Sequence, residues 1–314
     1  MARNMVQFQK GLSEPEFCRQ YSSEESCREA LFKSRWPDGF VCPECGSTKH
    51  CFIKERALYQ CNACSKQTSL TAGTIFASTK LELTVWFRAI YNMTQTKQGI
   101  SSIELGRRLG VSQKTAWKIK HKLAQVMMER DAEKQLDGRV EMDDFYLGGE
   151  RSGGKRGRGS PGKKPCIIGV QTTDDGKPVA VKLKRVKGFT KRALKALAER
   201  HIAATACVVS DGLGCFQGIS DAGRTHEPVI AKRLGCSEKL PQFRWANTVL
   251  ANVKNSIDAT YRGSRKHASR TLAEFEYRFN RRYDLAAMIP CLTCAAARTP
   301  PMPYRLLELA EDGT

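Results

Sequence analysis

The chain lacks any apolar run near the roughly 18 residues that a membrane-spanning helix needs. Its first residues, MARNMVQFQKGLSEPEF, contain no apolar signal core, so we expect a cytoplasmic protein with no membrane partner. Acidic residues are scarce beside basic ones, 32 against 52, which gives a formal net charge of +20. Only 8% of the residues are aromatic. This balance favours a polyanion as partner, with nucleic acid as the first candidate.

The length of 314 residues predicts two or three domains. Thirteen cysteines, an odd number in a reducing compartment, favour metal binding and buried thiols over disulfide bonds. The motifs and periodicities divide the chain into a helical lead-in (1–36), a zinc ribbon (37–78), a helix-turn-helix (79–130), a mixed-sheet domain (137–295) and a C-terminal tail (296–314).

Two C-x2-C pairs predict the ribbon. Fifteen residues separate Cys42 and Cys45 from Cys61 and Cys64, a spacing typical of zinc ribbons. Four thiolates complete a tetrahedral Zn²⁺ site with no position left for substrate, so this zinc would be structural. A further pair, in the segment PCLTC at 290–294, has no second pair to complete a site, and we expect its cysteines to be buried thiols.

The segment GISSIELGRRLGVSQKTAWKIKHKLAQVM predicts a helix, a sharp turn and a second helix that Ser112 caps. Second helices of this kind lie in the DNA major groove. We expect this one to expose Gln113, Lys114, Lys118, Lys120 and Lys122, of which the first three would contact DNA. The alternative is a basic helical hairpin that only packs against the rest of the chain.

From residue 139 onwards the pattern predicts three strands, a helix, a fourth strand, a possible fifth in PVIAK (228–232) and further helices. This order favours an α/β fold in which a mixed sheet is flanked by helices, as in ribonuclease-H-like domains. The loop between the first two strands is rich in glycine and basic residues. Arg156 and Arg158 in it are candidate DNA contacts, although a solvated hairpin tip explains the composition equally well.

Aspartates follow two of these strands. Asp143 lies towards the end of the first strand and Asp211 at the end of the fourth, which are neighbours in ribonuclease-H-like folds. Two carboxylates held together are costly unless a cation lies between them, and Mg²⁺ or Mn²⁺ suits such oxygen ligands. Asp211 could also be a surface turn residue. Asp144 is the rival of Asp143. Adjacent strand residues face opposite sides, so we expect only one of them, Asp143, to be a metal ligand unless the strand ends between them.

Four motifs, VEMDDFYLGGE, VVSDG, NTVLANVK and EFEYRFNRR, occur in the order found in a known family. The chain resembles the acid-triad transposases of bacterial insertion sequences, in particular the subgroup with an N-terminal zinc ribbon. The resemblance implies a ribonuclease-H-like catalytic domain that uses Mg²⁺ or Mn²⁺ to cleave 3′ ends of the element and join them to target DNA. It also implies a homodimer or larger homo-oligomer on double-stranded DNA.

By this resemblance Asp143, Asp211 and Asn247 would coordinate the metal, and Lys254, seven residues after Asn247, would hold a DNA phosphate. The family usually has Glu where this chain has Asn247. An amide keeps an oxygen ligand but lacks the negative charge, so we expect weaker metal binding.

Several alternatives remain at this stage. Asn252 could replace Asn247, and Glu274 could supply the missing carboxylate, although an ion pair with Arg278, Arg281 or Arg282 would also explain Glu274. The function could instead be that of a DNA-binding regulator with an inactive transposase-derived domain, or of a metal-dependent nuclease without strand transfer.

Overall fold

The computed structural model describes residues 11–148, 163–229, 241–261 and 266–309. The chain divides into two compact units. The first unit is discontinuous: it contains the residues up to Met127 and those from Arg281 onwards. The second comprises Met128–Asn280. Residues 281–295, which the sequence pattern assigns to the mixed-sheet domain, therefore lie with the N-terminal elements. Among the described helices, none has both the length and the apolar character needed to cross a bilayer.

The first unit opens with two capped helices, α1 (Glu14–Gln20) and α2 (Glu24–Arg35), followed by an antiparallel sheet. The sheet strands are β1 (His50–Ile53), β2 (Leu58–Cys61) and β3 (Gln67–Ser69), in that order. The helix α2 packs on this sheet through Phe32 and Trp36, whose rings lie 5.2 and 5.4 Å from that of Tyr59. Helix α2 therefore contributes to the hydrophobic core of the ribbon.

Three helices form the helix-turn-helix region: α3 (Leu83–Thr94), α4 (Ser102–Leu109) and α5 (Gln113–Arg130). Gly110 ends α4 at a positive φ of 67°, a conformation that glycine adopts without strain. Ser112 caps α5, because its Oγ accepts a hydrogen bond from the Thr115 backbone N–H at 3.2 Å. The predicted helix, turn and helix are confirmed.

Two more helices complete this unit, α10 (Met288–Arg298) and α11 (Tyr304–Leu309). The expectation of buried thiols in α10 is wrong, since Cys291 is exposed and Cys294 is only partly buried. The helix buries Ile289, Leu292 and Ala296 instead. A C-x2-C spacing places the two cysteines almost one helical turn apart, so both lie beside this apolar stripe, not within it.

The second unit is a five-stranded mixed sheet with helices on both faces. Its elements are β4 (Arg139–Leu147), β5 (Lys164–Thr172), β6 (Pro178–Arg185), α6 (Lys191–His201), β7 (Cys207–Asp211), α7 (Gln217–Asp221), β8 (Thr225–Val229), α8 (Arg244–Tyr261) and α9 (Ala268–Asn280). The strand order is β6-β5-β4-β7-β8. The first three strands are antiparallel, and β7 and β8 run parallel to β4 and β7, respectively.

This topology confirms the predicted α/β, ribonuclease-H-like arrangement, in which the first strand, β4, pairs with the fourth, β7. The fifth strand was predicted at 228–232. It begins earlier, at Thr225, and residues 230–232 lie outside the described part of the chain.

The two faces of β4 enter different hydrophobic cores. Val140 and Met142 face the core that includes α6 and α7, whereas Phe145 and Leu147 pack in the core that includes α8 and α9. Side chains alternate along a strand, so Asp143 shares the second face with Phe145. The alternation therefore directs Asp143 towards the side of the sheet that α8 covers.

Helix α9 covers the edge strand β6 with polar side chains. Asn280 bonds both the N–H and the carbonyl of Val181, and Glu276 accepts the Leu183 N–H at 2.9 Å. Burial raises the pKa of Glu276, and the Lys182 ammonium, 2.8 Å from its carboxylate, opposes that rise. These bonds satisfy the backbone groups of an edge that would otherwise be open to pairing with another strand.

Candidate active site

The four ribbon thiols converge. The Sγ atoms of Cys42 and Cys64 lie 3.6 Å apart, as do those of Cys45 and Cys61, and all four lie within 4.8 Å of one another. Tetrahedral zinc with Zn–S bonds of about 2.3 Å places its sulfur ligands roughly 3.8 Å apart. The cluster therefore has the size and the chemistry of a structural Zn²⁺ site.

The turns of the ribbon also prepare the thiols for a cation. The backbone N–H of Cys45 lowers the pKa of Cys42, and that of Cys64 lowers the pKa of Cys61 to about 6. Each C-x2-C turn thus stabilises its first cysteine as the thiolate, which is the form that binds zinc. Cys51 is exposed and stands outside the cluster.

A second cluster lies in the mixed sheet. Carboxylate oxygens of Asp143, Asp144 and Asp211 lie within 4.8 Å of one another. The parallel β4–β7 ladder pairs Met142 with Ser210, so the next residue on each strand is an aspartate. The end of the β4–β7 pairing thus brings two acids together, although 67 residues separate them in the sequence.

Both Asp143 and Asp144 reach Asp211, and the choice of Asp143 over Asp144 as the metal ligand stays a prediction. Asp143 and Asp144 are paired with Ile168 and Ile167 of β5, so their side chains start from opposite faces of the sheet. The β4–β7 pairing stops at Met142 and Ser210, so Asp211 lies at the open end of its strand, where side chains from both faces of β4 can approach. Asp143 is also turned along the chain, since its Oδ1 accepts the Asp144 backbone N–H at 2.8 Å.

Neighbouring groups act in opposite directions on the pKa of Asp143 in this cluster. Burial first, and then the carboxylates of Asp144 and Asp211, raise the pKa of Asp143 to about 6, although the Asp144 N–H and the Lys254 ammonium act in the opposite direction. The influence of Lys254 indicates that α8 brings a positive charge towards the acids. Such a site favours a bound cation or a proton.

Asn247 is exposed in the first turn of α8, where its Nδ2 donates to the Phe243 carbonyl at 3.0 Å. That bond engages the amide nitrogen, so a metal ligand from Asn247 would be its carbonyl oxygen. Asn252 is exposed further along the same helix. Glu274 is buried in α9 and forms an ion pair with Arg278, 3.7 Å away.

The sequence reasoning missed Glu141. This buried carboxylate on β4 accepts hydrogen bonds from the first turn of α8 and lies two residues before Asp143, on the same strand face. The signal was the alternation of acidic residues in VEMDD, because residues two apart in a strand share a face.

The second helix of the helix-turn-helix exposes fewer lysines than expected. Gln113 and Lys114 are exposed and Lys118 is partly exposed, with its Nζ 4.7 Å from the ring centroid of Tyr304. The prediction of an exposed Lys120 is wrong: it is buried, and its Nζ donates to the Ile100 carbonyl. Lys122 is partly buried, and its Nζ donates to the Ile75 carbonyl at 3.2 Å.

These two lysines lie where α5 is covered on several sides, so their stems are buried and their ammonium groups satisfy backbone carbonyls. Arg156 and Arg158, the other candidate DNA contacts, lie outside the described residues.

Two family models match separate parts of the chain. Residues 135–280 match the ISXO2-like transposase domain, and residues 22–67 match the transposase zinc-ribbon domain. A protein in transposable element ISH50 of Halobacterium salinarum is 28% identical over 148 residues, which cover 44% of this chain and 49% of that protein. The chain thus spans about half the length of this curated relative.

Among solved structures, a chain in the pre-cleavage Mos1 transpososome aligns with 13% identity and a TM-score of 0.23. That alignment covers 69% of this chain and 79% of the other, but similarity this low does not bear on the fold.

The two family matches together span more than half of the chain. The first contains the mixed sheet with its three aspartates, and the second contains α2 and all four ribbon thiols. The chain therefore belongs to the insertion-sequence transposases that carry an N-terminal zinc ribbon.

Proposed function

We propose that the chain is a DNA transposase that binds the ends of an insertion sequence, cleaves them at the 3′ side and joins them to target DNA with the help of divalent metal ions. The observation that carries this proposal is the meeting of three carboxylates within 4.8 Å, where the pairing of β4 with β7 ends. The net charge of +20 supports a nucleic acid as substrate.

The residues present fit Mg²⁺ or Mn²⁺. Both ions prefer oxygen ligands. The pKa of Asp143 is raised first by burial and then by the neighbouring carboxylates, whose negative charges a divalent cation would neutralise. Asp143, Asp211 and the carbonyl oxygen of Asn247 would hold the metal, and Asp144 is a further candidate ligand. When bound, such ions activate the attacking oxygen and stabilise the leaving oxygen of an in-line phosphoryl transfer.

Two transfers follow one another in this proposal. First, a water oxygen bonds to the phosphorus at the end of the element, the bond to the 3′ oxygen breaks, and the proton released by the water balances the one gained by the new 3′-hydroxyl. The oxygen of that hydroxyl then bonds to a phosphorus of the target strand, the bond to the target's own 3′ oxygen breaks, and the proton released by the attacking hydroxyl balances the one that the leaving 3′ oxygen gains. Neither step needs a covalent bond to the protein or an external energy source.

The basic side chains would position the DNA. The Lys254 ammonium would hold a phosphate beside the scissile bond, where it would also offset the charge of Asp143. Gln113, Lys114 and Lys118 on α5 would contact the element's end, while Arg156 and Arg158 would contact the backbone. Concerted cutting of two ends requires at least two copies of the chain, so we expect a homodimer or larger assembly on DNA.

Strand cleavage tests the proposal. A labelled duplex that carries the element's end is incubated with Mg²⁺ or Mn²⁺ and with wild type, Asp211→Asn or the control Asp175→Asn, which alters an exposed aspartate in the β5–β6 turn. We expect wild type and Asp175→Asn to cleave equally, and Asp211→Asn to lose roughly 100-fold or more, since it removes a ligand charge. Equal cleavage by Asp211→Asn would contradict the proposal.

Asn247 favours one alternative, a DNA-binding regulator without catalysis, because it stands where the related enzymes usually have a carboxylate. That alternative is correct if wild type and Asp211→Asn both bind the element's end and neither cleaves it. A duplex with a pre-cleaved 3′ end separates the transposase from a simple nuclease, since only the transposase joins this end to a second DNA molecule.

A further inference from the structure

Glu141 is a carboxylate in the middle of β4 with only 2% of its surface exposed. Burial of an ionised carboxylate costs several kcal/mol unless hydrogen bonds or opposite charges compensate. Among the described acids, Glu141 is not a member of the cluster formed by Asp143, Asp144 and Asp211. Its position is therefore explained by other partners.

These partners are the start of α8 and a neighbouring arginine. Oε2 of Glu141 accepts the backbone N–H groups of Trp245 at 2.9 Å and Ala246 at 3.0 Å. Oε1 accepts from Arg139 Nη1 at 2.9 Å, and Arg139 Nη2 donates to the Gln242 carbonyl at 3.2 Å. The two side chains thus bind the last residues before α8 and its first turn to the strand.

The first N–H groups of a helix have no partner inside the helix and carry a partial positive charge. A side-chain oxygen of the preceding residue usually binds them, but α8 begins at Arg244, after Phe243, which has no such oxygen. Glu141 supplies this cap from a strand that is distant in sequence. Its carboxylate charge also complements the positive end of the helix.

We propose that Glu141 is a positioning residue of the active site, which fixes the first turn of α8, and with it Asn247, relative to Asp143. The inference rests on the proposed function. Asn247 directly follows Ala246, whose N–H bonds to Glu141, and Asp143 lies two residues beyond Glu141, about 7 Å along the same strand face. One carboxylate therefore links the two segments that carry these ligands.

Apolar packing alone would hold α8 on the sheet, through Val249, Leu250 and Val253. Such contacts are not directional, so they leave the helix free to slide or rotate by a fraction of a turn. The hydrogen bonds from Glu141 are directional and set the rotation of the first turn. A shift of about 1 Å in a ligand can reduce a rate roughly 100-fold without unfolding the protein.

A double-mutant cycle tests this role with the full chain. Mn²⁺ affinity and the kcat and KM of cleavage are measured for wild type, Glu141→Gln, Asn247→Ala and the double variant. The matched control is Glu199→Gln, an exposed glutamate on α6. We expect Glu141→Gln to weaken Mn²⁺ binding and lower kcat roughly 10- to 100-fold with KM for DNA unchanged. In the Asn247→Ala background the same change should cost less than about threefold.

The proposal would be overturned if Glu141→Gln kept the wild-type kcat and Mn²⁺ affinity. It would also be overturned if the fold-losses of Glu141→Gln and Asn247→Ala multiplied in the double variant, since the two residues would then act independently. If Glu141→Gln does not fold, the partly exposed Arg139→Gln replaces it in the cycle, with an expected effect of a fewfold. Hydrogen exchange at the Trp245 and Ala246 amides supplies a separate readout. It should accelerate in Glu141→Gln while exchange at Val208 and Val209 of β7 stays unchanged.

The exchange measurement separates failure of this proposal from failure of the proposed function. If wild type neither binds Mn²⁺ nor cleaves DNA, the proposed function is wrong, and faster exchange at the two amides still supports Glu141 as the residue that fixes α8. If exchange there is unchanged, Glu141 does not hold the helix, whatever the activity.

Discussion

The carboxyl group of Asp143 couples metal binding to stability. Burial, Asp144 and Asp211 raise its pKa to about 6, above the ordinary aspartate value of 3.8. The ionised form is therefore less stable in the folded than in the unfolded state. This cost is absent below about pH 4, grows as the pH rises to about 6 and is complete above it.

We therefore predict that Asp143→Asn stabilises the metal-free protein. At about pH 7.5 the free energy of unfolding should rise by about 2 to 3 kcal/mol, which corresponds to the difference in pKa between the two states. The gain should fade as the pH falls from 6 to 4. Thermal or urea unfolding in the presence of a chelator measures it.

Saturating Mn²⁺ serves as the control for this prediction. The ion binds the folded wild type and not the unfolded chain, so it should restore wild-type stability and remove the advantage of Asp143→Asn. A variant that is equally stable or less stable than wild type at pH 7.5 without metal would contradict the account of Asp143.

Single residues show where sequence reasoning reaches its limit. The spacing of Cys42, Cys45, Cys61 and Cys64 predicts the zinc site directly, because two short turns supply all four ligands. The approach of Asp144 to Asp211 depends on where the β4–β7 pairing stops, and the burial of Lys120 depends on what covers α5. Local sequence patterns contain neither kind of information. Glu141 looks like one more strand residue until α8 is placed above it.

At the scale of elements, the zinc ribbon is the most self-contained feature. Its three short strands bury few apolar side chains of their own, so we expect the metal to supply much of its stability. We predict about one zinc per chain, and its loss in Cys42→Ser. Elemental analysis of the purified protein measures the zinc content.

The control for this prediction is Cys51→Ser, which alters an exposed cysteine outside the cluster and should retain the zinc. Since Phe32 and Trp36 of α2 pack on the ribbon, loss of zinc in Cys42→Ser should also change the fluorescence of Trp36. A folded wild-type protein without zinc would disprove the metal assignment.

Elements with a strong local period were predictable and others were not. The apolar stripe of α3 and the short apolar runs of β5 and β7 can be recognised directly in the sequence. Helix α9 cannot, because Phe275, Tyr277 and Phe279 alternate with charged residues as in a strand. Its buried Glu276 and partly buried Asn280 are explained only by the edge strand that they bind.

At the scale of the whole molecule, the order of the elements along the chain does not follow the division into two units, because the first unit contains segments from both ends of the chain. Helices α10 and α11 return to the unit that contains the ribbon and the helix-turn-helix, while the match to the transposase domain ends at residue 280, where the second unit also ends. No local signal marks such a return, since it depends on which apolar face a late helix finds. Composition alone favours the proposed partner, nucleic acid, through the excess of basic residues.

The central claim is that Asp143 and Asp211 share a divalent cation beside bound DNA. A crystal structure of the full chain with a duplex of the element's end and Mn²⁺ tests it most directly. We predict an anomalous Mn²⁺ peak roughly 2.2 Å from a carboxylate oxygen of each aspartate, with a DNA phosphate as a further ligand. An ordered DNA complex in which Mn²⁺ is absent from these two carboxylates would contradict the account.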